Sequence, residues 1–175
     1  QSLGSLLGGL TRQMAQRLAA PEVAAALQAG DAAAAGTALQ AGWKGAEQAA
    51  VLPADLAEAY ADPAAFGYAK LALLESAQQG NAPVLRVVRD AGGARLGVAA
   101  PVALGPAGAG VAYVRLPLSV LTLPFDRLDV PASAYLALRQ GGYTVVERGQ
   151  SGLASGGEAL SRPLGKSSLR IAAAV

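Results

Sequence analysis

Apolar side chains recur at helical spacing near the start of the chain. Leu3, Leu7, Leu10 and Met14 lie at alternating steps of four and three, which is the spacing of one face of an amphipathic helix. This leucine stripe, over Leu3–Leu18, has two interpretations: it packs on the core of its own chain, or it forms a homodimer face with a partner helix. Both interpretations require a helix that ends at about residue 20.

Further helices are predicted up to residue 80, because residues that start and stop helices separate the apolar segments. Pro21 suits a first helical position, Asp31 suits an N-cap, and Gly80 with Asn81 suits a helix end. We therefore predict helices over residues 22–29, 32–41, 55–60 and 63–79, with a short strand over 47–52.

The pattern changes at Pro83 to the period of two that is typical of strands. Glycine-containing turns at 90–93 and 141–142 predict two hairpins. The predicted strands are 84–89, 96–102, 111–118, 134–140, 143–148 and 169–175, with a short one near residue 160, a short helix and loop at 119–130, and a loop at 150–157.

Helices followed by antiparallel strands predict an α+β fold. The N-terminal residues 1–80 are expected to form a mainly helical layer, packed on a five- to six-stranded antiparallel meander sheet formed by residues 83–175. The length of 175 residues predicts a single domain over 1–175.

One face of the predicted sheet collects tyrosine and arginine side chains. Tyr113 and Arg115 alternate with apolar residues on one strand, and Tyr135 and Arg139 do so on a later strand. Guanidinium groups bind planar anions and aromatic rings stack on apolar ligand faces, so these residues are predicted to bind a small anionic or sugar-like ligand. The alternative is that they mark the solvent side of an antiparallel sheet.

The composition excludes most familiar catalysis, because the chain has no histidine and no cysteine. A Ser/His or Cys/His nucleophile pair, a zinc finger and a histidine-ligated metal site are therefore impossible within it. We predict no catalytic residues, no metal site and no cofactor. The glycine-rich segment 105–110 is predicted to be a turn, because a phosphate-binding loop would need a helix where a strand follows.

The charge is nearly balanced, with 14 basic and 12 acidic residues, and the basic residues are scattered. This pattern does not favour nucleic-acid binding. Charged residues such as Arg12, Arg17 and Glu22 interrupt the apolar N-terminal segment, so no membrane-spanning helix is predicted. Because the chain begins at Gln1 and ends in the apolar run Ile171–Val175, we expect a flanking membrane anchor in a longer parent protein.

The segment Val84–Leu118 resembles extracytoplasmic Cache or PAS-like sensor domains. It combines a strand, a tight turn, a second strand, an Ala-Pro-Val step at Ala100–Val102, a glycine and another strand. Tyr135–Val146 looks like the later hairpin of the same family. The resemblance implies a PAS-like fold, a periplasmic location and a sensory or regulatory role. The ligand motif of amino-acid-binding Cache domains cannot be placed residue by residue on this chain.

The segment Asp62–Glu75 resembles the periplasmic N-terminal extension of long membrane-anchored bacterial phosphomannomutase/phosphoglucomutase proteins. That family's serine loop contains a histidine and its metal loop an Asp-Gly-Asp run, and this chain contains neither. The resemblance therefore implies a regulatory module beside an enzyme whose catalytic part lies elsewhere.

Two functions follow from the sequence. The first is a non-catalytic extracytoplasmic sensory domain of a membrane-anchored bacterial protein, which binds a small molecule or transmits a signal. The second is a structural or protein-interaction module that dimerises through Leu3–Leu18 and has no small ligand.

Overall fold

The computed structural model describes residues 3–90, 92–150, 152–153, 160–164 and 167–174, and these residues form two compact units. The first unit comprises residues 9–117, and the second comprises the chain up to Gly8 together with the residues from Leu118 onward. The helices and strands up to Pro117 are α1 (Leu3–Leu18), α2 (Pro21–Gln28), α3 (Ala32–Gly42), β1 (Gln48–Pro53), α4 (Ala57–Ala61), α5 (Pro63–Phe66), α6 (Tyr68–Gly80), β2 (Val84–Asp90), β3 (Gly93–Ala103) and β4 (Ala109–Pro117).

The first unit contains an antiparallel sheet in the order β1-β4-β3-β2. The strands β2, β3 and β4 form the predicted meander, and β1, which precedes three helices in sequence, pairs with the outer side of β4. A tight 3-10 turn at Gly105–Ala107 connects β3 to β4, in agreement with the predicted turn. The α+β class predicted from the sequence is confirmed.

Helix α6 covers one face of this sheet and contacts β2, β3 and β4. Its buried leucines pack on Val88, Ala99, Val111 and Tyr113 of the sheet. Helix and sheet approach so closely that a Cβ on Gly97 of β3 would lie 2.7 Å from Leu73 Cδ2 and 3.1 Å from Tyr113 Cε1. A side chain at residue 97 would therefore require Leu73 to shift.

The leucine stripe of α1 is buried within the chain. Leu3, Leu7, Leu10 and Met14 are at most 7% exposed. The core-packing interpretation is therefore confirmed for these four side chains, and dimerisation through the helix Leu3–Leu18 stays a prediction. Trp43, at the end of α3, is 3% exposed and also belongs to the core.

The second unit contains a separate antiparallel sheet in the order β6-β5-β8-β7. Arg148 of β6 donates hydrogen bonds to the carbonyl oxygens of Phe125, at 3.1 Å, and of Leu128. These carbonyls lie at the C-terminal end of α7, so the arginine attaches this helix to the sheet. The elements of this unit beyond the start of α1 are α7 (Ser119–Asp126), β5 (Tyr135–Gln140), β6 (Tyr143–Gly149), β7 (Leu160–Pro163) and β8 (Leu169–Ala174).

Two features of the predicted layout need correction. The five- to six-stranded sheet is in fact two four-stranded sheets, because β1 belongs to the first sheet and β5 to β8 pair only among themselves. Strand β1 also lies within residues 1–80, which the sequence analysis assigned to a mainly helical layer. The chain divides into two compact units, and the single domain over 1–175 stays a prediction. The predicted helix 63–79 is also interrupted at Gly67, whose φ of +108° separates α5 from α6.

Candidate functional site

A cavity of about 420 Å³ lies on the α6-covered side of the first sheet, between β1 and helices α4 to α6. It is within the size range of small-molecule sites. Charged and polar side chains share its wall with apolar ones. The lining residues are Gln48, Ala50, Leu52, Glu58, Asp62, Ala65, Phe66 and Lys70.

The strand period explains the sheet wall of the cavity. Alternate residues of β1 face the same side, which places Gln48, Ala50 and Leu52 on the cavity side. In the antiparallel register, Ala50 lies opposite Tyr113 and Gln48 lies opposite Arg115 of β4. Two of the residues predicted from the sequence therefore lie beside the strand that forms this wall.

The break between α5 and α6 explains the helical wall. Asp62 caps α5 by accepting a hydrogen bond from the backbone N–H of Ala65 at 3.2 Å. Gly67 then ends α5 in a backbone conformation that L-residues rarely adopt. Lys70 follows in the first turn of α6, four positions after Phe66. The break thus brings the lysine and the phenylalanine to the same cavity.

Lys70 lies between two aromatic rings. Its Nζ is 4.4 Å from the ring centroid of Phe66 and 4.9 Å from that of Tyr113. Both distances are within the range of cation–π attraction. Among the residues that the structure describes, Lys70 forms no ion pair, so its positive charge is not neutralised by a carboxylate at contact distance.

Burial lowers the pKa of Lys70, and the nearby charge of Arg115 lowers it further, while Glu58 acts in the opposite direction. Removing an ammonium group from water disfavours its charged form, and a neighbouring cation adds to this effect. The cavity therefore contains a partly buried amine that has carboxylates in its surroundings but none at ion-pair distance among the described residues.

Arg115 is held at the side of this site by Glu47. Glu47 Oε1 accepts a hydrogen bond from Arg95 Nε at 3.0 Å and lies 3.5 Å from Arg115 Nε. All three side chains are about one-third exposed, so these pairs contribute little to stability. The pairs instead fix positions, because the Glu47 carboxylate lies beside the guanidinium groups of both Arg95 and Arg115.

The other two predicted residues form a separate cluster in the second sheet. Tyr135 donates its hydroxyl proton to Glu147 Oε2 at 2.7 Å and accepts a hydrogen bond from Arg139 Nη2 at 3.1 Å. Burial raises the pKa of Tyr135; Arg139 lowers it and Glu147 raises it. The prediction that Tyr113, Arg115, Tyr135 and Arg139 share one sheet face is wrong, because β4 and β5 belong to different sheets.

The alternative prediction, that these residues mark the solvent side of a sheet, is wrong for Tyr113. Its side chain is 1% exposed, because α6 covers the face that the strand pattern marks as polar.

The sequence reasoning missed Glu58, Phe66 and Lys70. One signal was available: Lys70 is the only charged residue between Asp62 and Glu75, and it follows Phe66 at the spacing that places two side chains on one helical face.

Two larger cavities occur in the first unit, of about 650 and 540 Å³. The described residues that line them carry no charge; the larger is lined by residues such as Gln78 and Asn81, and the smaller by residues such as Ala15, Leu18 and Leu27. A charged ligand group finds no complementary side chain in either. Of these three cavities, the Lys70 cavity is the one with charged side chains in its lining, and we take it as the candidate site.

No protein family matches the chain by sequence, and no curated protein matches it. Among solved structures, the chain is similar to an extracellular ligand-binding receptor from Desulfohalobium retbaense DSM5692, with a TM-score of 0.58 and 15% identity over 98% of the chain. The chain spans 39% of the length of that receptor chain. At this identity the similarity concerns the fold. Within the described residues, no helix is both long and apolar enough to span a bilayer.

Proposed function

We propose that this chain is a non-catalytic sensory domain that acts outside the cytoplasm and binds a small anionic ligand in the Lys70 cavity. The observation that carries the proposal is the ammonium group of Lys70, which lines a cavity between two rings and has no ion-pair partner among the described residues. A partly buried charge of this kind is stabilised when a ligand supplies the opposite charge.

Tyr113 and Arg115 support ligand binding in different ways. The Tyr113 ring holds the Lys70 ammonium against the sheet, and Arg115 adds positive potential beside it. Glu58 and Asp62 line the same cavity, so a ligand with several negative groups would meet repulsion there. These charges favour a ligand with one anionic group and an uncharged remainder.

The fold supports the sensory part of the proposal. The solved structure to which the chain is similar is described as an extracellular ligand-binding receptor, and the chain resembles Cache or PAS-like sensors in the order of its strands. We further propose that the chain belongs to a larger membrane-anchored bacterial protein. The resemblance of Asp62–Glu75 to phosphomannomutase/phosphoglucomutase extensions makes such an enzyme the parent that we propose.

Calorimetric titration tests the proposal. The panel consists of acetate, lactate, phosphate and glucose 6-phosphate, and any binder is then titrated against Lys70→Ala and Lys70→Arg. Loss of a charged hydrogen bond is expected to weaken binding about tenfold or more in Lys70→Ala, with partial recovery in Lys70→Arg. Lys44→Ala, at an exposed position, is the matched control and is expected to bind like the unchanged chain.

Two results would overturn the proposal. One is the absence of heat exchange or thermal shift with every member of the panel. The other is binding that Lys70→Ala leaves unchanged, which would place the ligand in another cavity.

A further inference from the structure

The Lys70 cavity presents an amine as well as a charge. Nζ lies at the cavity wall, within 4.9 Å of both ring centroids, and forms no ion pair among the described residues. A lysine on the protein surface is protonated and hydrated, and both conditions suppress its reactivity. Lys70 differs from such a lysine in its hydration and in its neighbours.

Two features of the cavity favour the neutral, nucleophilic form of this amine. Burial removes part of its water shell, and Arg115 places a second cation nearby; together they lower the pKa of Lys70. Desolvation and an adjacent cation are the two means by which proteins activate lysine as a nucleophile. The rings of Phe66 and Tyr113 attract the ammonium form, so they oppose this effect while holding Nζ at the cavity wall.

We propose that Lys70 captures a small 2-oxo acid as a reversible imine in this cavity. The lone pair of Nζ attacks the keto carbon and forms a C–N bond. The two protons that Nζ loses are taken up by the carbonyl oxygen, the C–O bond breaks, and the oxygen leaves as water, which gives the C=N bond. No oxidant or reductant takes part, and hydrolysis of the imine restores the amine and the 2-oxo acid.

The surrounding residues suit both ends of such a ligand. Arg115 provides positive potential near Lys70, which favours the carboxylate. Glu58 and Asp62 both line the cavity, and since Glu58 is the one that interacts electrostatically with Lys70, we assign to it the transfer of protons to and from the reacting oxygen. The inference deepens the proposed function, because it rests on the entry of a small anion into this cavity.

Reductive trapping tests the inference on the full chain. Pyruvate is added with sodium cyanoborohydride, which converts an imine into a stable secondary amine, and peptide mapping by mass spectrometry locates the adduct. We expect labelling of Lys70 about tenfold or more faster than labelling of the exposed Lys44, because activation concerns only Lys70. Lys70→Arg keeps the positive charge but forms no imine, so its labelling at this peptide should disappear.

Glu58→Gln provides a second variant whose effect a structural role would not reproduce. It is expected to slow trapping at Lys70 and to leave the rate at Lys44 unchanged. Equal rates at Lys70 and Lys44 in the unchanged chain would overturn the inference, and this comparison requires no variant.

Lactate separates this inference from the proposed function, because it has the size and charge of pyruvate but no carbonyl group. Lactate binding in calorimetry without pyruvate trapping at Lys70 would overturn imine capture and leave anion binding intact. Trapping without lactate binding would support imine capture and count against a purely ionic site. Failure of both would overturn both.

Discussion

Tyr113 and Tyr135 are each 1% exposed, and each lies in a four-stranded antiparallel sheet near an arginine, yet their surroundings differ. Tyr135 is enclosed in a hydrogen-bonded chain that runs from Arg139 through its hydroxyl group to Glu147. Tyr113 instead supports the ammonium of Lys70, which has no ion-pair partner among the described residues. The same residue types thus form a hydrogen-bonded cluster in one sheet, whereas in the other a tyrosine lies against a lysine that lines a cavity.

The two tyrosines differ in the element that carries the side chains around them. In the second sheet, strand pairing places Glu147 opposite Ala137, two residues from Tyr135, so the partner is provided by the sheet itself. In the first sheet, the neighbour of Tyr113 is on α6, which approaches across the sheet face and leaves a cavity toward β1. The cavity thus lies between α6 and β1, whereas the side chains around Tyr135 come from strands paired in one sheet.

The largest effect on stability is expected from a change in the packing of α6 on the first sheet. Leu74 of α6 is completely buried against the sheet. Leu74→Ala should lower the free energy of unfolding by about 2–5 kcal/mol, because it leaves a cavity in the core. Urea unfolding followed by the fluorescence of Trp43, the chain's single tryptophan and a residue of the first unit, measures this. Ser76→Ala, at an exposed position on the same helix, should change the stability by no more than about 0.5 kcal/mol.

An intermediate effect on stability is expected from a substitution in the second sheet. Tyr135→Phe removes the hydroxyl group that joins Arg139 to Glu147 and should destabilise the second unit by about 1 kcal/mol. Hydrogen exchange of the β5 and β8 amides reports on this unit separately. Tyr68→Phe, where the side chain is 69% exposed, is the control. If Tyr135→Phe weakened ligand binding while β5 stayed protected, the contrast between a structural cluster and a site would be wrong.

The smallest effect on stability concerns Lys70, and its size depends on pH. Its pKa is lowered in the folded chain, so between that pKa and the ordinary value of 10.5 the unfolded chain binds more protons. The stability of the unchanged chain should therefore rise with pH through this window. Lys70→Met keeps the apolar stem, should be more stable at neutral pH, and should lose this advantage as the pH approaches 10.5.

Urea titrations at neutral and alkaline pH measure this advantage, with Lys44→Met as the control for loss of one exposed charge. A Lys70→Met variant that is less stable at neutral pH would show that the rings stabilise the ammonium more than burial destabilises it. The expected result would mark Lys70 as a residue that costs stability, as residues in binding sites often do.

Periodicity predicted most elements because the signals are local. Pro21 begins α2, Asp31 caps α3 through the N–H of Ala34, and Asn81 ends α6 with a positive φ, all as the sequence indicates. The break at Gly67 was missed because a glycine within an apolar helical pattern does not show whether the chain turns there. The pairing of β1 with β4 was missed because it joins residues far apart in sequence.

The sequence by itself determined the α+β class, the helix that carries the leucine stripe and the presence of Tyr-Arg pairs on the strands, since each depends on the order and spacing of neighbouring residues. Only the tertiary structure decided that the strands divide into two sheets and that Tyr113, but not Tyr135, lies beside a lysine with no ion pair to any described residue. The physical reason is that a side chain's availability depends on which distant element covers it. The spacing of residues along a strand or helix specifies which side chains share a face, and tertiary packing specifies which element covers that face.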